Sequence, residues 1–309
     1  MDISVVIPLY NKAPHIQRAL NSIFNQSFPP KEIIVVDDGS TDGSGEIVKS
    51  SPDPRIKVFR QENAGISSAR NHGVSEASYD FIAFLDADDE WKPEHLQAIA
   101  MLIQEYPDCG AYATSYMRIG DAGTKIWRPK PVKNTPTGWK GKLDLNSYLE
   151  LIMAANTFFP SSICVKKACF YKAGQFDVKV RRAQDLDLWL RILLGDDIAY
   201  LHEPLTIYYL NTVNRSVVNF KPELGVFLDK LGRLLGEREF PPKTKKLLYE
   251  YYCHNLLIKC SEACQKGYRE LGLECLKKSS RTQKFRLRWL KWYCLCSMPE
   301  KLSSIYLNR

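Results

Sequence analysis

The amino-terminal third of the chain repeats one alternation of apolar runs and helically spaced apolar positions. Ile3 to Leu9 is a short run rich in β-branched residues, which predicts a buried strand. Pro14 to Asn25 places Ile16, Leu20, Ile23 and Phe24 at helical spacing. Glu32 to Val36 predicts a second buried strand, ended by Asp37-Asp38-Gly39-Ser40, and Asp42 is placed to cap a helix through Val48. Ile56 to Arg60 alternates as a third strand, and Gly65 precedes a helix from Ile66 to about Glu76. Phe81 to Leu85 predicts a fourth strand, ended by Asp86-Ala87-Asp88-Asp89, and Pro93 starts a helix reaching about Glu105. Strands and helices alternating across short loops predict an α/β fold, a mostly parallel sheet flanked by helices.

The pattern loosens from Tyr112 to Lys142, where Pro129, Pro131, Pro136, Gly138 and Gly141 suggest a long loop or hairpin over the site. Ser162 to Val165 and Ile198 to Leu201 read as short strands, with a helix from Leu186 to Leu194 between them. After Pro222 the chain reads as helical to its end, with breaks near Pro241-Pro242, Gly267 and Pro299. The expected division is a catalytic domain over 1–215, with a donor half to about 117, and a helical region over 216–309.

Composition changes this picture little: 45% hydrophobic and 25% charged residues in 309 describe an ordinary globular chain with a real core. No stretch approaches the ~18 to 20 apolar residues of a membrane-spanning helix. Ile3 to Leu9 is not a signal peptide, since it lacks a basic flank and Pro8 interrupts it. The expected location is therefore cytoplasmic.

Charge is unevenly placed. Residues 241–309 carry 15 Lys and Arg against 5 Asp and Glu, a net of +10, while residues 1–240 sum to −2. A basic tail implies an acidic partner: a lipid surface, a nucleic acid or a polyanionic acceptor. No nucleic-acid-binding module is recognisable, so nucleic acid is not expected. Over 284–296, Phe285, Trp289, Trp292 and Cys296 recur at helical spacing beside Lys284, Arg286, Arg288 and Lys291. This helix is expected to lie on an anionic membrane, aromatics down, at the cytoplasmic face of the inner membrane. The alternative is packing of the same aromatics on the catalytic domain. The nine cysteines show no CxxC pair and read as reduced core thiols, in preference to zinc at Cys253, His254 and Cys260.

The chemistry gathers at one edge. In parallel α/β sheets ligands lie at the carboxyl ends of the strands, where Asp37-Asp38 and Asp86 to Asp89 both fall. If the chain stays extended there, Asp86 and Asp88 project to one side and can hold Mg²⁺ or Mn²⁺ shared with substrate phosphates. Alone, each acidic pair is equally a solvated turn or helix cap, Arg70 a solvated helix residue, and Trp91, Trp189, Phe158 and Phe159 core or acceptor-cleft aromatics.

In sequence order stand Val5-Val6-Ile7-Pro8-Leu9-Tyr10-Asn11, Ile34-Val35-Val36-Asp37-Asp38-Gly39-Ser40-Thr41-Asp42, Asn63-Ala64-Gly65-Ile66-Ser67-Ser68-Ala69-Arg70-Asn71 and Phe84-Leu85-Asp86-Ala87-Asp88-Asp89. Gly174-Gln175-Phe176-Asp177 and Gln184-Asp185-Leu186-Asp187-Leu188-Trp189-Leu190-Arg191 follow. Over roughly residues 1–215 this ordered set closely resembles the family 2 glycosyltransferases, which have a GT-A fold. The resemblance implies an inverting, metal-dependent transfer of one sugar from a nucleotide-sugar, with uridine the leading base, to a glycan or lipid-linked acceptor in cell-envelope polysaccharide or glycoconjugate synthesis. It implies that Pro8 and Tyr10 wall the base pocket and that Asp38, with its neighbour Asp37, contacts base or ribose. Arg70 approaches base and phosphates. Asp86 contacts ribose or metal, Asp88 binds the metal, and Ala87 lies between them on the donor side. Asp185 matches the general base, with Gln184 where the family usually has Glu.

The runner-up is a catalytically silent nucleotide-sugar or glycan-binding relative, which loss of Asp86, Asp88 or Asp185 would favour. A Rossmann oxidoreductase lacks its GxGxxG after the first strand, and Pro8 to Asn11 is no phosphate loop. Gln283 to Arg286 resembles the QxxRW element of processive synthases only loosely, since Leu287 stands where Trp is required.

Overall fold

Ile3–Leu9 forms β1 and Glu32–Asp37 forms β2, each buried along its entire length. A continuous apolar run, not an alternating one, suits a parallel strand covered on both faces. With β3 (Ile56–Arg60) and β4 (Phe81–Phe84) they pair in the order β3-β2-β1-β4, all parallel. The crossovers carry α1 (Ala13–Phe24), α2 (Ser44–Lys49) and α3 (Ile66–Glu76). Ile16, Ala19, Leu20 and Ile23 of α1 face the sheet, as their spacing requires. Gly73 lets α3 lie directly on Val6, where any Cβ would collide.

The computed structural model describes residues 1–120, 126–127, 136–154, 157–213, 223–279 and 283–297. They fall into two compact units, Met1–Lys179 with Ala183–Arg215, and Val180–Arg182 with Ser216–Arg309. The first unit continues with β5 (Glu90–Trp91), α4 (His95–Glu105), β6 (Ala111–Ile119), β7 (Ile126–Trp127), β8 (Lys140–Leu143) and α5 (Leu145–Ala154). Then come β9 (Ile163–Lys166), α6 (Lys167–Lys172), α7 (Gln184–Leu193) and β10 (Ile198–Tyr209). The sheet extends β4-β9-β6-β10-β5, with β9 antiparallel to both neighbours and β6 parallel to β10. The parallel half that carries the acidic turns is thus followed by a mixed half.

Two elements differ from the sequence reading. The stretch from Tyr112, expected to loosen into a long loop or hairpin, begins instead inside the long strand β6, whose end pairs antiparallel with β7; Thr114 and Ser115 look polar in sequence yet are buried in the sheet. The short strand expected at 198–201 runs on to Tyr209, absorbing His202-Glu203-Pro204 through two register shifts against β6. Such irregularities accommodate a proline that has no N–H to give the ladder. The remainder of the expected loop, 121–125 and 128–135 with Pro129 and Pro131, lies outside the described residues, as does Pro299.

The second unit contains α8 (Val226–Glu237), α9 (Pro242–Gln265), α10 (Arg269–Lys278) and α11 (Arg286–Ser297). Trp289, Trp292 and Cys296 of α11 pack with Leu256, Leu257 and Leu276 in its core. The stripe expected to face a membrane therefore faces inward, because α9 and α10 supply apolar partners for it. The Trp289 indole N–H donates to the Leu276 and Ser279 carbonyls at 3.3 and 3.2 Å. What α11 exposes instead is Leu287, Leu290 and Tyr293. Among the described residues no helix is long and apolar enough to cross a membrane.

Candidate active site

Both acidic turns lie at the carboxyl ends of their strands, and each is held by a network that sequence spacing does not reveal. Asp37 and Asp38 are 1% and 3% exposed, so neither is a solvated turn residue. One Asp37 oxygen accepts the Ser40 N–H at 2.8 Å and the other accepts from Arg60 at 2.9 Å. Asp38 accepts from Gln61 and the Ala64 N–H, both at 2.8 Å, and from the Gly65 N–H at 2.9 Å. Gly65 has φ of 91°, open only to glycine, so its amide can turn toward Asp38 at the start of α3. These bonds fix the loop that follows β2 against the start of α3. Pro8 is buried inside β1, paired with Val36, while Tyr10 stands exposed just past the strand end.

The second acidic turn is not extended. The Asp89 N–H donates to the Asp86 carbonyl at 3.0 Å, closing a turn. Asp86 and Asp88 therefore do not share a side through strand periodicity; they meet different partners. Asp86 accepts from Arg70 at 2.6 Å, and its N–H donates to the Ser161 hydroxyl at 3.0 Å. Asp88 accepts from Lys12 and from the Thr212 hydroxyl, both at 2.6 Å, and Arg18 holds its carbonyl. Burial pushes the Asp88 carboxyl up, but Lys12 and the Thr212 hydroxyl more than offset this, leaving it below its ordinary range. Buried Ala87 lies inside the turn.

Asp89 is fully buried. Burial first, then the Asp86 and Asp88 charges, raise its carboxyl well above its ordinary value. The Ser161 hydroxyl donates to it at 2.6 Å, and the Ser161 carbonyl receives the Trp91 indole. Ser161 thus ties the turn to the segment before β9.

Arg70 approaches this edge from beneath, 1% exposed, with its guanidinium 5.2 Å above the Phe176 ring. The next residue, Asn71, exchanges two hydrogen bonds with the Phe176 backbone, at 2.8 and 3.0 Å. That pair anchors the 174–177 loop to α3 and brings the start of α7 to the acidic edge. Asp185, half-buried in the first turn of α7, has its carboxyl raised; burial is the main cause, with Arg70 opposing and Asp86 adding to it. Arg70, Asp86 and Asp185 thus share one electrostatic neighbourhood. Asp187 is spent elsewhere: it pairs with Arg191 at 2.7 Å, and Arg191 also holds the Ala173 and Gln175 carbonyls.

Backbone strain gathers around the same edge. The non-glycine residues with positive φ among those described are Asn11, Gln175 and Ala183. Asn11 follows β1 and bridges to Thr41, while Gln175 and Ala183 flank the approach to α7. Strained conformations of this kind cost about 1–3 kcal/mol each and persist where the surroundings over-determine them, commonly at active sites.

Lys12, Arg18, Asn71, Ser161 and Thr212 escaped sequence reasoning. Each acts across a sequence separation that leaves no local pattern. The aromatics separate cleanly: Trp91, Trp189 and Phe158 are core, whereas half-buried Phe159 packs against Tyr116 and Tyr208. His95, buried on Trp91, is a packing residue, and burial lowers it to about 3.

The site is thus an acidic, arginine-backed edge at the parallel strand ends of a mixed sheet. The family model for glycosyl transferase family 2 matches residues 4–171, more than half the chain, and the protein belongs to that family. The matched part makes up less than two thirds of the length of several of its curated relatives. The putative teichuronic acid biosynthesis glycosyltransferase TuaG of Bacillus subtilis is 36% identical over 225 residues, 71% of this chain and 82% of TuaG. Glycosyltransferase GlyA of Streptococcus pneumoniae is 42% identical over 106 residues, 34% of this chain; the matched part is only 15% of GlyA. The fold matches S. aureus TarS 1-349 in complex with UDP-GlcNAc with a TM-score of 0.73 at 20% identity, over 96% of this chain and 90% of that one. Asp185 lies beyond the residues that the family model matches.

Proposed function

We propose that the protein moves one sugar from a UDP-sugar, with inversion, to a glycan or lipid-linked acceptor of the cell envelope. The observation that carries this reading is the shared neighbourhood of Asp185, Arg70 and Asp86: a carboxyl raised by burial stands beside a buried cation and the acidic turn. TarS bound to UDP-GlcNAc and TuaG in teichuronic acid synthesis support the donor class and the envelope setting.

In this reading residues to about 117 form the donor half and residues 118–215 the acceptor half. Tyr10 and the loop held by Asp37 and Asp38 bound the base. Arg70 fixes Asp86 and lends positive charge to the crevice. Asp185 takes the proton from the attacking acceptor hydroxyl, and its raised pKa brings it nearer working pH. One in-line displacement then turns an α-linked donor into a β-linked product.

The acidic turn fits a hard divalent cation. Arg70 takes one oxygen of Asp86, and Lys12 and Thr212 share one oxygen of Asp88, which leaves each carboxylate a second oxygen. Two buried Arg70 nitrogens lack partners there, and as donors they suit a phosphate oxygen of the donor, not the cation. Asp86 and Asp88 would hold Mn²⁺ or Mg²⁺ together with donor phosphates, the usual sharing for such ions. Bound there, the ion supplies charge stabilisation for the departing diphosphate.

A peripheral location at the cytoplasmic face of the inner membrane rests on the exposed Leu287, Leu290 and Tyr293 face with Arg286 and Lys291, tested by co-sedimentation with anionic and neutral liposomes. Calorimetry with UDP, with and without Mn²⁺, tests the donor site. Binding strengthened by Mn²⁺ in the wild type and not in Asp88→Ala is expected; equal binding by both removes the metal from the account.

A further inference from the structure

Apart from the acidic edge, the helical unit brings three sulfurs together. Cys260 and Cys264 lie one turn apart on α9, and Cys296 reaches them from α11. The Cys260 Sγ is 4.0 Å from that of Cys264 and 3.9 Å from that of Cys296, and all three lie within 4.8 Å of one another. Among the described residues this is the one group of three or more His, Cys, Asp or Glu ligand atoms so close together. It is not the Cys253, His254 and Cys260 set that adjacency in sequence brings to mind.

Geometry and surroundings suit an ion. Three sulfurs each about 2.3 Å from an ion in their plane lie about 4 Å apart. All three are buried among Leu257, Leu276 and Trp292. Gly272 of α10 closes over them: a Cβ there would stand 2.8 Å from the Cys264 sulfur and 3.0 Å from that of Cys296. The charge of Arg269 favours a thiolate at Cys296. An all-thiolate set selects soft cations such as Cu(I). Structural zinc needs a fourth ligand, and no described histidine or carboxylate atom joins the group.

We propose that Cys260, Cys264 and Cys296 form a three-coordinate thiolate site for a soft monovalent cation, Cu(I), which fastens α11 to α9. The ion replaces the three thiol protons, which leave to solvent. The resulting negative charge is offset by Arg269 and by half-buried Arg288, both electrostatically coupled to the trio.

The test is an anaerobic titration of the whole reduced chain with Cu(I) against bathocuproine disulfonate. One equivalent withheld from the chelator is expected. Cys260→Ser and Cys296→Ser should each weaken binding roughly tenfold or more, at least the size that losing an outer-shell partner produces. Cys294→Ser, an exposed position outside the trio, should match the wild type. X-ray absorption on the wild-type complex, which needs no variant to fold, should find three sulfur neighbours. Two sulfurs, any nitrogen or oxygen ligand, retention of Zn²⁺ but not Cu(I), or trio variants that bind like Cys294→Ser would overturn the site.

Discussion

Arg70 reaches Asp86 at 2.6 Å from a position only 1% exposed, so the acidic turn is set from beneath by a buried cation. Two of its guanidinium nitrogens have no partner, which costs stability. Removing one partner of a buried ion pair leaves the other charge uncompensated. Arg70→Met is therefore expected to lower stability by up to about 3–5 kcal/mol, and to weaken UDP binding roughly tenfold, since one lost charge interaction of about 1.4 kcal/mol has that effect. Calorimetry beside thermal denaturation separates the two; unchanged UDP affinity would remove Arg70 from the donor site.

Asp185 must be ionised to accept a proton. Burial raises its pKa, so activity is expected to fall as pH drops through a value above the ordinary one for an aspartate. Asp185→Asn should lower kcat by ~10² or more while leaving donor affinity intact. The residual activity should also lose that acidic limb, which a kcat/KM profile against pH reads directly.

The adjacent acids Asp88 and Asp89 should behave oppositely. Asp88→Asn loses the charge paired with Lys12 and should abolish metal-stimulated turnover. Asp89 is fully buried, and burial raises its carboxyl. Its folded pKa lies above the unfolded one, so its contribution to stability is present below the unfolded pKa and lost as pH rises through the folded value. Asp89→Asn removes that loss, and at pH 8 the variant should be at least as stable as the wild type in chemical denaturation.

His95 has the reverse sign. Its folded pKa is lowered by burial to about 3, so the stability it contributes is present above the unfolded value near 6.5 and lost as pH falls toward 3. One such histidine costs about 1.4 kcal/mol per pH unit within that window. His95→Gln should flatten the slope of unfolding free energy between pH 6 and 4.5 by that amount; an unchanged slope would mean that the ring is solvated.

The readable part of this chain was the part whose signals are local. β1 to β4 follow from continuous apolar runs, and α1 from its spacing. β6 and the continuation of β10 beyond Leu201 were hidden because buried Thr114 and Ser115 look polar and because irregularities carry β10 past Pro204. The acidic residues were found, but their geometry was not: a turn at Asp86–Asp89, not an extended pair, sends each carboxylate to its own cation. Ser161, Lys12 and Asn71 meet partners 72, 76 and 105 residues away, and no window of sequence displays such a contact.

The most direct measurement follows a panel of α-linked UDP-sugars by proton NMR in the presence of Mn²⁺, with water as acceptor. The account expects UDP to appear together with the β-anomer of the free sugar, before mutarotation, and expects both to vanish in Asp185→Asn. An α-anomer as first product would contradict single displacement, and no UDP from any donor would contradict the proposed activity itself.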